Sequence, residues 1–163
     1  MAINLKNFLL SQNRKSIIGH FQDLDHIDGV AISTISANLY KDPRDDLVLF
    51  YFRDGANCAS VYTQSKIISE NIKWNLNVKN NSIKALMVNT RNANAFTGKL
   101  GFKGIVQIAE ELSKQLTIKM TQDEEKINLV KPNQILFGCT GTIGETFPTE
   151  KIKQSIPTLI TKI

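Results

Sequence analysis

Apolar and polar positions follow two different rhythms along this chain, and the change from one to the other marks the expected elements. Residues 30–39 read Val-Ala-Ile-Ser-Thr-Ile-Ser-Ala-Asn-Leu, rich in β-branched side chains and bounded by Asp28-Gly29 and Asp42-Pro43, which predicts a strand. Residues 47–53 predict a second. It is apolar at consecutive positions, as suits a central strand buried on both faces, and Asp54-Gly55 reads as the turn that sends the chain toward residues 58–63. Further strands are expected over 83–88 and 134–137. The helical rhythm is clearest where Phe102, Ile105, Ala109, Leu112 and Leu116 recur at spacings of 3, 4, 3 and 4, while Lys103, Glu110, Glu111 and Lys114 fall largely off that stripe. A looser helical pattern runs over 3–18 through Leu5, Phe8, Leu9 and Ile17. A last helix is expected to begin near Pro148-Thr149-Glu150, with proline in its first turn, and to continue to Ile163. Its residues Ile152, Ile156, Leu159, Ile160 and Ile163 are expected to form an exposed apolar surface that meets more of the same fold. Strands outnumber helices and two of them connect through short turns, so the expected class is α+β, a mixed β-sheet covered by helices.

Length and composition narrow the function classes. The 163 residues suffice for one domain with one core. The longest apolar run, 47–52, has six residues against the roughly 20 of a membrane-spanning helix, so no membrane partner is expected. The net charge of +5 is not gathered into a track: Lys41, Asp42, Arg44, Asp45 and Asp46 alternate in sign, which argues against a nucleic-acid partner. Cys58 and Cys139 stand 81 positions apart without C-x-x-C spacing, so neither a metal site nor a disulfide framework is indicated. The opening Met-Ala-Ile-Asn-Leu-Lys-Asn lacks the apolar stretch of a signal peptide, and a cytoplasmic location follows as the expectation.

Chemistry is most readily placed at two strand-to-loop junctions, Val88 into residues 89–98 and Phe137 into residues 138–144. In the second, Gly138, Gly141 and Gly144 permit close backbone approach and positive φ, and Thr140 and Thr142 add hydroxyls. Such a loop can present fixed N–H and O–H donors to an anion or a developing oxyanion. It is equally the composition of a tight turn that simply needs glycine, and it lacks the closing Gly-Lys-Ser/Thr of a phosphate-binding loop. Asn89, Asn92 and Asn94 can orient a polar substrate, although such clusters more often satisfy their own backbone. Cys139 is a poor nucleophile candidate, because His20 and His26 are the only histidines and lie far away in sequence. Those histidines lack ligand partners and read as surface residues.

At these two loops the sequence resembles a known family. Val88-Asn89-Thr90-Arg91-Asn92-Ala93-Asn94-Ala95-Phe96-Thr97-Gly98 is similar to the V-N-S/T-G-N-A-N-A-x-T-G signature of the ornithine acetyltransferase (glutamate N-acetyltransferase) family of arginine biosynthesis. Thr140-Gly141-Thr142-Ile143-Gly144-Glu145-Thr146-Phe147-Pro148 resembles that family's T-G-V-I-G-x-x-L-P, and Val61-Tyr62-Thr63-Gln64 its V-F-T-x-N. Further likeness runs through Met1-Ala2-Ile3-Asn4-Leu5 and Asp46-Leu47-Val48.

The resemblance implies a precursor that cuts itself before an internal threonine. That new N-terminal threonine of the β chain takes acetyl from N-acetylornithine and passes it to glutamate, with no metal or organic cofactor. This sequence resembles the α chain alone, one domain over 1–163 that is incomplete relative to the family and forms part of a layered α/β/β/α sandwich. On this reading it is a glutamate N-acetyltransferase only when completed by a β chain in an α/β hetero-oligomer, and it is inactive alone. The catalytic residues the resemblance implies here are Thr140 and Gly141, the oxyanion hole. The alternative is a non-catalytic truncated relic of the fold, serving as a binding or structural protein. The sequence departs from the family pattern at three places: Arg91 replaces a glycine, Gly104 stands where aspartate is common, and Ser69-Glu70-Asn71 replaces A-A-P.

Overall fold

The structure is a computed structural model that describes residues 27–79, 82–124 and 129–163. Four strands form one sheet in the order β1-β2-β3-β4: β1 (Val30–Ile35), β2 (Leu47–Asn57), β3 (Ser82–Asn89) and β4 (Ile135–Cys139). The first three strands pair antiparallel, and β3 with β4 pairs parallel. Parallel neighbours need a long crossover, which the helix α2 (Gly98–Glu124) provides. A short helix, α1 (Glu70–Asn77), precedes β3, and α3 (Thr149–Ile160) follows β4. The described residues thus form an α+β fold with a mixed sheet and three α-helices.

Strand register explains which side chains are buried. Ser33, Leu49, Met87 and Phe137 align across the four strands and all are buried, the last three in one core with the α2 residues Ile105, Ile108, Ala109, Leu112, Leu116 and Met120. The next row, Ile32, Phe50, Leu86 and Leu136, points to the other face. Leu136 there is buried, Phe50 and Leu86 are half-buried, and Ile32 is 58% exposed. The stripe read from the α2 sequence is confirmed: four of its five members are buried, and Phe102 lies half-buried against Trp74, ring centroids 6.5 Å apart.

Three expectations need correction. The last helix does not present its apolar face to solvent, because Ile152, Ile156, Leu159 and Ile160 are buried in the common core, against α2 and the β1–β2 edge, with Ile163 packed at its margin. Asp54-Gly55 is not a hairpin turn. It is an irregularity inside β2, where the register with β3 shifts between Tyr51 and Ala56 and Gly55 takes φ +84°, so β2 runs on to Asn57 and residues 58–63 are not a strand. The first strand ends at Ile35 rather than 39, since the buried Asp46 carboxylate accepts the N–H groups of Ala37 (2.7 Å) and Leu39 (2.8 Å) and bends that segment away from the sheet. The helical pattern over 3–18 and both histidines lie outside the described residues.

Candidate functional site

The two junctions singled out in the sequence end neighbouring parallel strands and fold against each other. Asn89 and Cys139 are register partners at the ends of β3 and β4. Beyond them the ladder continues irregularly: Thr140 N–H donates to Asn89 O (3.1 Å), Thr142 N–H to Arg91 O (2.9 Å), Ala93 N–H to Thr142 O (3.0 Å) and Gly144 N–H to Ala95 O (2.9 Å). Gly141 lies between two of these bonds with φ +131°. A Cβ there would stand 2.2 Å from the carbonyl carbon of Arg91, so only glycine fits.

The asparagines are spent inside this junction. Asn89, Asn92 and Asn94 are all buried. The Asn89 amide donates to Thr90 O (3.0 Å) and Asn92 O (2.9 Å), and that of Asn92 to the carbonyls of Glu145 and Thr146, both at 3.3 Å. Asn94 donates to Gly101 O (3.2 Å) and accepts the Thr97 hydroxyl (2.6 Å), tying the loop to the first turn of α2. These side chains hold the loop's shape and have no amide hydrogens turned outward to a substrate.

Thr140 and Gly141 differ from them. Both residues are exposed, and neither the Thr140 hydroxyl nor the Gly141 N–H bonds to another described residue. Adjacent free donors on a loop fixed from both sides can meet a developing negative charge without reorganising. The Thr142 hydroxyl is engaged, accepting from Arg91 Nη1 at 2.9 Å. Burial pushes the Cys139 thiol up to about 12, which favours its protonated form at neutral pH. Among the described residues no group of three or more His, Cys, Asp or Glu is placed to hold a metal ion.

The sequence profile of the ArgJ family matches residues 31–163, a span that includes both junctions and every described strand except the first residue of β1. The chain belongs to the ArgJ family. Similar ArgJ proteins include the arginine biosynthesis bifunctional protein ArgJ of Bartonella henselae, 31% identical over 142 residues, which cover 86% of this chain and 32% of that protein. That of Caulobacter vibrioides is 29% identical over 141 residues, covering 84% and 32%. The chain therefore spans about a third of the length of the curated relatives it matches. Two solved structures share its fold. The arginine biosynthesis bifunctional protein ArgJ of Bacillus halodurans aligns with a TM-score of 0.68 at 23% identity, over 80% of this chain and 62% of that one. The ornithine acetyltransferase of Mycobacterium tuberculosis, solved with ornithine, aligns at 0.73 and 21%, over 83% and 67%.

The departures from the ArgJ pattern are built into this structure. Ser69 occupies the N-cap position of α1 without a side-chain capping bond, Glu70 N–H donates to Asn94 O (2.9 Å), and Asn71 donates to Phe137 O (3.3 Å). Gly104 lets α2 touch the start of α3: a Cβ there would lie 2.3 Å from the Thr149 hydroxyl. Arg91 occupies the left-handed region at φ +77° and reaches back to Glu145 and Thr142. The hydrogen bond and charge of Glu145 raise the Arg91 pKa further. Sequence reasoning missed the Arg91–Glu145 pair, whose members are 54 positions apart, and also α1, whose eight residues bury polar Asn71 and Asn75 rather than an apolar stripe.

Proposed function

We propose that this chain is the α-chain portion of an acetyltransferase, contributing Thr140 and Gly141 as the oxyanion hole to a second portion that carries the nucleophilic threonine. The observation that carries this reading is the donor pair itself, exposed and without a partner among the described residues, on a loop that backbone hydrogen bonds fix to the asparagine run. In the reaction so read, acetyl passes from N-acetylornithine to the threonine and on to glutamate. Each step goes through a tetrahedral intermediate whose oxyanion takes the Thr140 O–H and Gly141 N–H. The half-open sheet face with Ile32, Phe50 and Leu86 supports a partner layer. That partner is the β chain of the same family, in an α/β hetero-oligomer in the cytoplasm.

The test is reconstitution with a β portion, followed by steady-state assay of acetyl transfer from N-acetylornithine to glutamate. The isolated chain is expected to show no turnover. In the completed enzyme, Thr140→Ala is expected to lower kcat by about 10²–10³, or roughly 2.7–4 kcal/mol, with KM within a few-fold, because the donor acts on charge present only in the transition state. Thr142→Ala, whose hydroxyl already serves Arg91, is the control and should be much milder. Thr140→Ala near wild type beside a crippled Thr142→Ala would move the oxyanion role to another residue. No transfer by any completed assembly would favour the relic.

A further inference from the structure

Arg91 combines two features that rarely meet: an unfavourable left-handed backbone for a residue with a side chain, and a side chain fully engaged with one loop. Its Nη1 reaches Glu145 Oε2 at 2.5 Å and its Nη2 reaches Oε1 at 3.2 Å, a two-pronged contact, and Nη1 also donates to the Thr142 hydroxyl. Its main-chain oxygen accepts the Thr142 N–H, and Gly141 is packed directly on its carbonyl. One residue therefore holds the 140–145 segment both with its backbone and with its guanidinium. A glycine at this position can supply only the first of these. Ion pairs at a surface usually contribute little, but a bidentate arginine with a third contact closes a defined geometry across 54 residues of chain.

We infer that the Arg91–Glu145 pair is a charge-operated latch that holds the loop still, making Arg91 a positioning residue for the Thr140–Gly141 donor pair. The positioning role rests on the oxyanion reading above, whereas the latch itself does not.

The latch is tested on the purified 163-residue chain by nuclear magnetic resonance, without substrate or partner. The readouts are the order parameter of the Gly141 N–H and the exchange rate of the Thr142 amide, taken relative to the Leu112 amide inside α2. Glu145→Gln is expected to lower the Gly141 order parameter from about 0.85 toward 0.6 or below, and to speed relative Thr142 exchange roughly three- to tenfold. Arg91→Gly, which relieves the backbone but removes the side chain, should loosen the loop in the same way. Exchanging the two charges, Arg91→Glu with Glu145→Arg, should restore at least half of the lost order. An unchanged Gly141 order parameter and unchanged relative exchange in Glu145→Gln and Arg91→Gly would overturn the latch. So would a double variant no more ordered than its single parents. Because no turnover is measured, a rigid loop in the variants sinks the latch without touching the acetyltransferase reading. Conversely, kinetically silent Thr140→Ala removes the oxyanion role from the Thr140–Gly141 pair and leaves the latch standing.

Discussion

The loops that end β3 and β4 look alike in sequence, each a run of small and polar residues after an apolar strand, yet they handle their hydrogen-bonding groups in opposite ways. In the asparagine run the side chains are buried and turn inward on neighbouring backbone. In the glycine loop two adjacent donors remain open. Polarity alone does not locate a binding site; what matters is whether the polar atoms are already satisfied. The first loop is the frame that fixes the second.

This contrast can be broken by experiment, and Cys139 gives the widest margin. It sits at the root of the glycine loop, and with its pKa pushed to about 12 it should react with iodoacetamide at pH 8 on the order of 10³-fold more slowly than a thiol in a short unfolded peptide. The folded chain keeps this proton to higher pH than the unfolded chain, so the thiol's contribution is complete below about pH 8.5 and drains away as pH rises toward 12. Peptide mapping that finds Cys139 labelled at the peptide's rate in folded protein would mean that the whole strand end is open, not just Thr140 and Gly141.

Next in size is Asn94→Ala. It removes the acceptor of the half-buried Thr97 hydroxyl and a side-chain donor to the carbonyl of buried Gly101, for an expected loss of about 1–3 kcal/mol and a Tm lower by roughly 3–10 °C. If calorimetry found its melting unchanged while the completed enzyme lost activity, the asparagines rather than the glycine loop would be the chemical site. The smallest expected change is in Thr140→Ala, which should leave folding stability within about 0.5 kcal/mol, since the hydroxyl it removes has no intramolecular partner among the described residues. A large stability loss there would make Thr140 part of the frame.

Much of the frame is legible in the sequence because each of its elements carries its own local pattern. The α2 stripe and the apolar centres of β2, β3 and β4 announce themselves by spacing alone. What escapes is set by tertiary contact. Asp54-Gly55 carries the signature of a hairpin, but β3 pairs with residues on both sides of it, and the glycine's left-handed φ serves a bulge instead. The α3 residues look like an unfinished surface because their partners, in α2 and the first two strands, are far away in sequence. The glycine loop is legible as a place, while the freedom of its two donors depends on where Asn89 O and Arg91 O lie.

The short helix α1 has a consequence for how this chain behaves in solution. β4 is an edge strand, and its outward backbone would ordinarily be free to recruit a strand from another molecule. Asn75 instead exchanges two hydrogen bonds with Phe137, donating to its oxygen (2.9 Å) and accepting its N–H (3.0 Å), while Trp74 Nε1 donates to Ile135 O (2.9 Å). With Asn71, whose amide also donates to Phe137 O (3.3 Å), three side chains imitate the pairing of a fifth strand. On that side the sheet is sealed against edge-to-edge aggregation, and growth of a fibril from β4 would first require the helix to peel away.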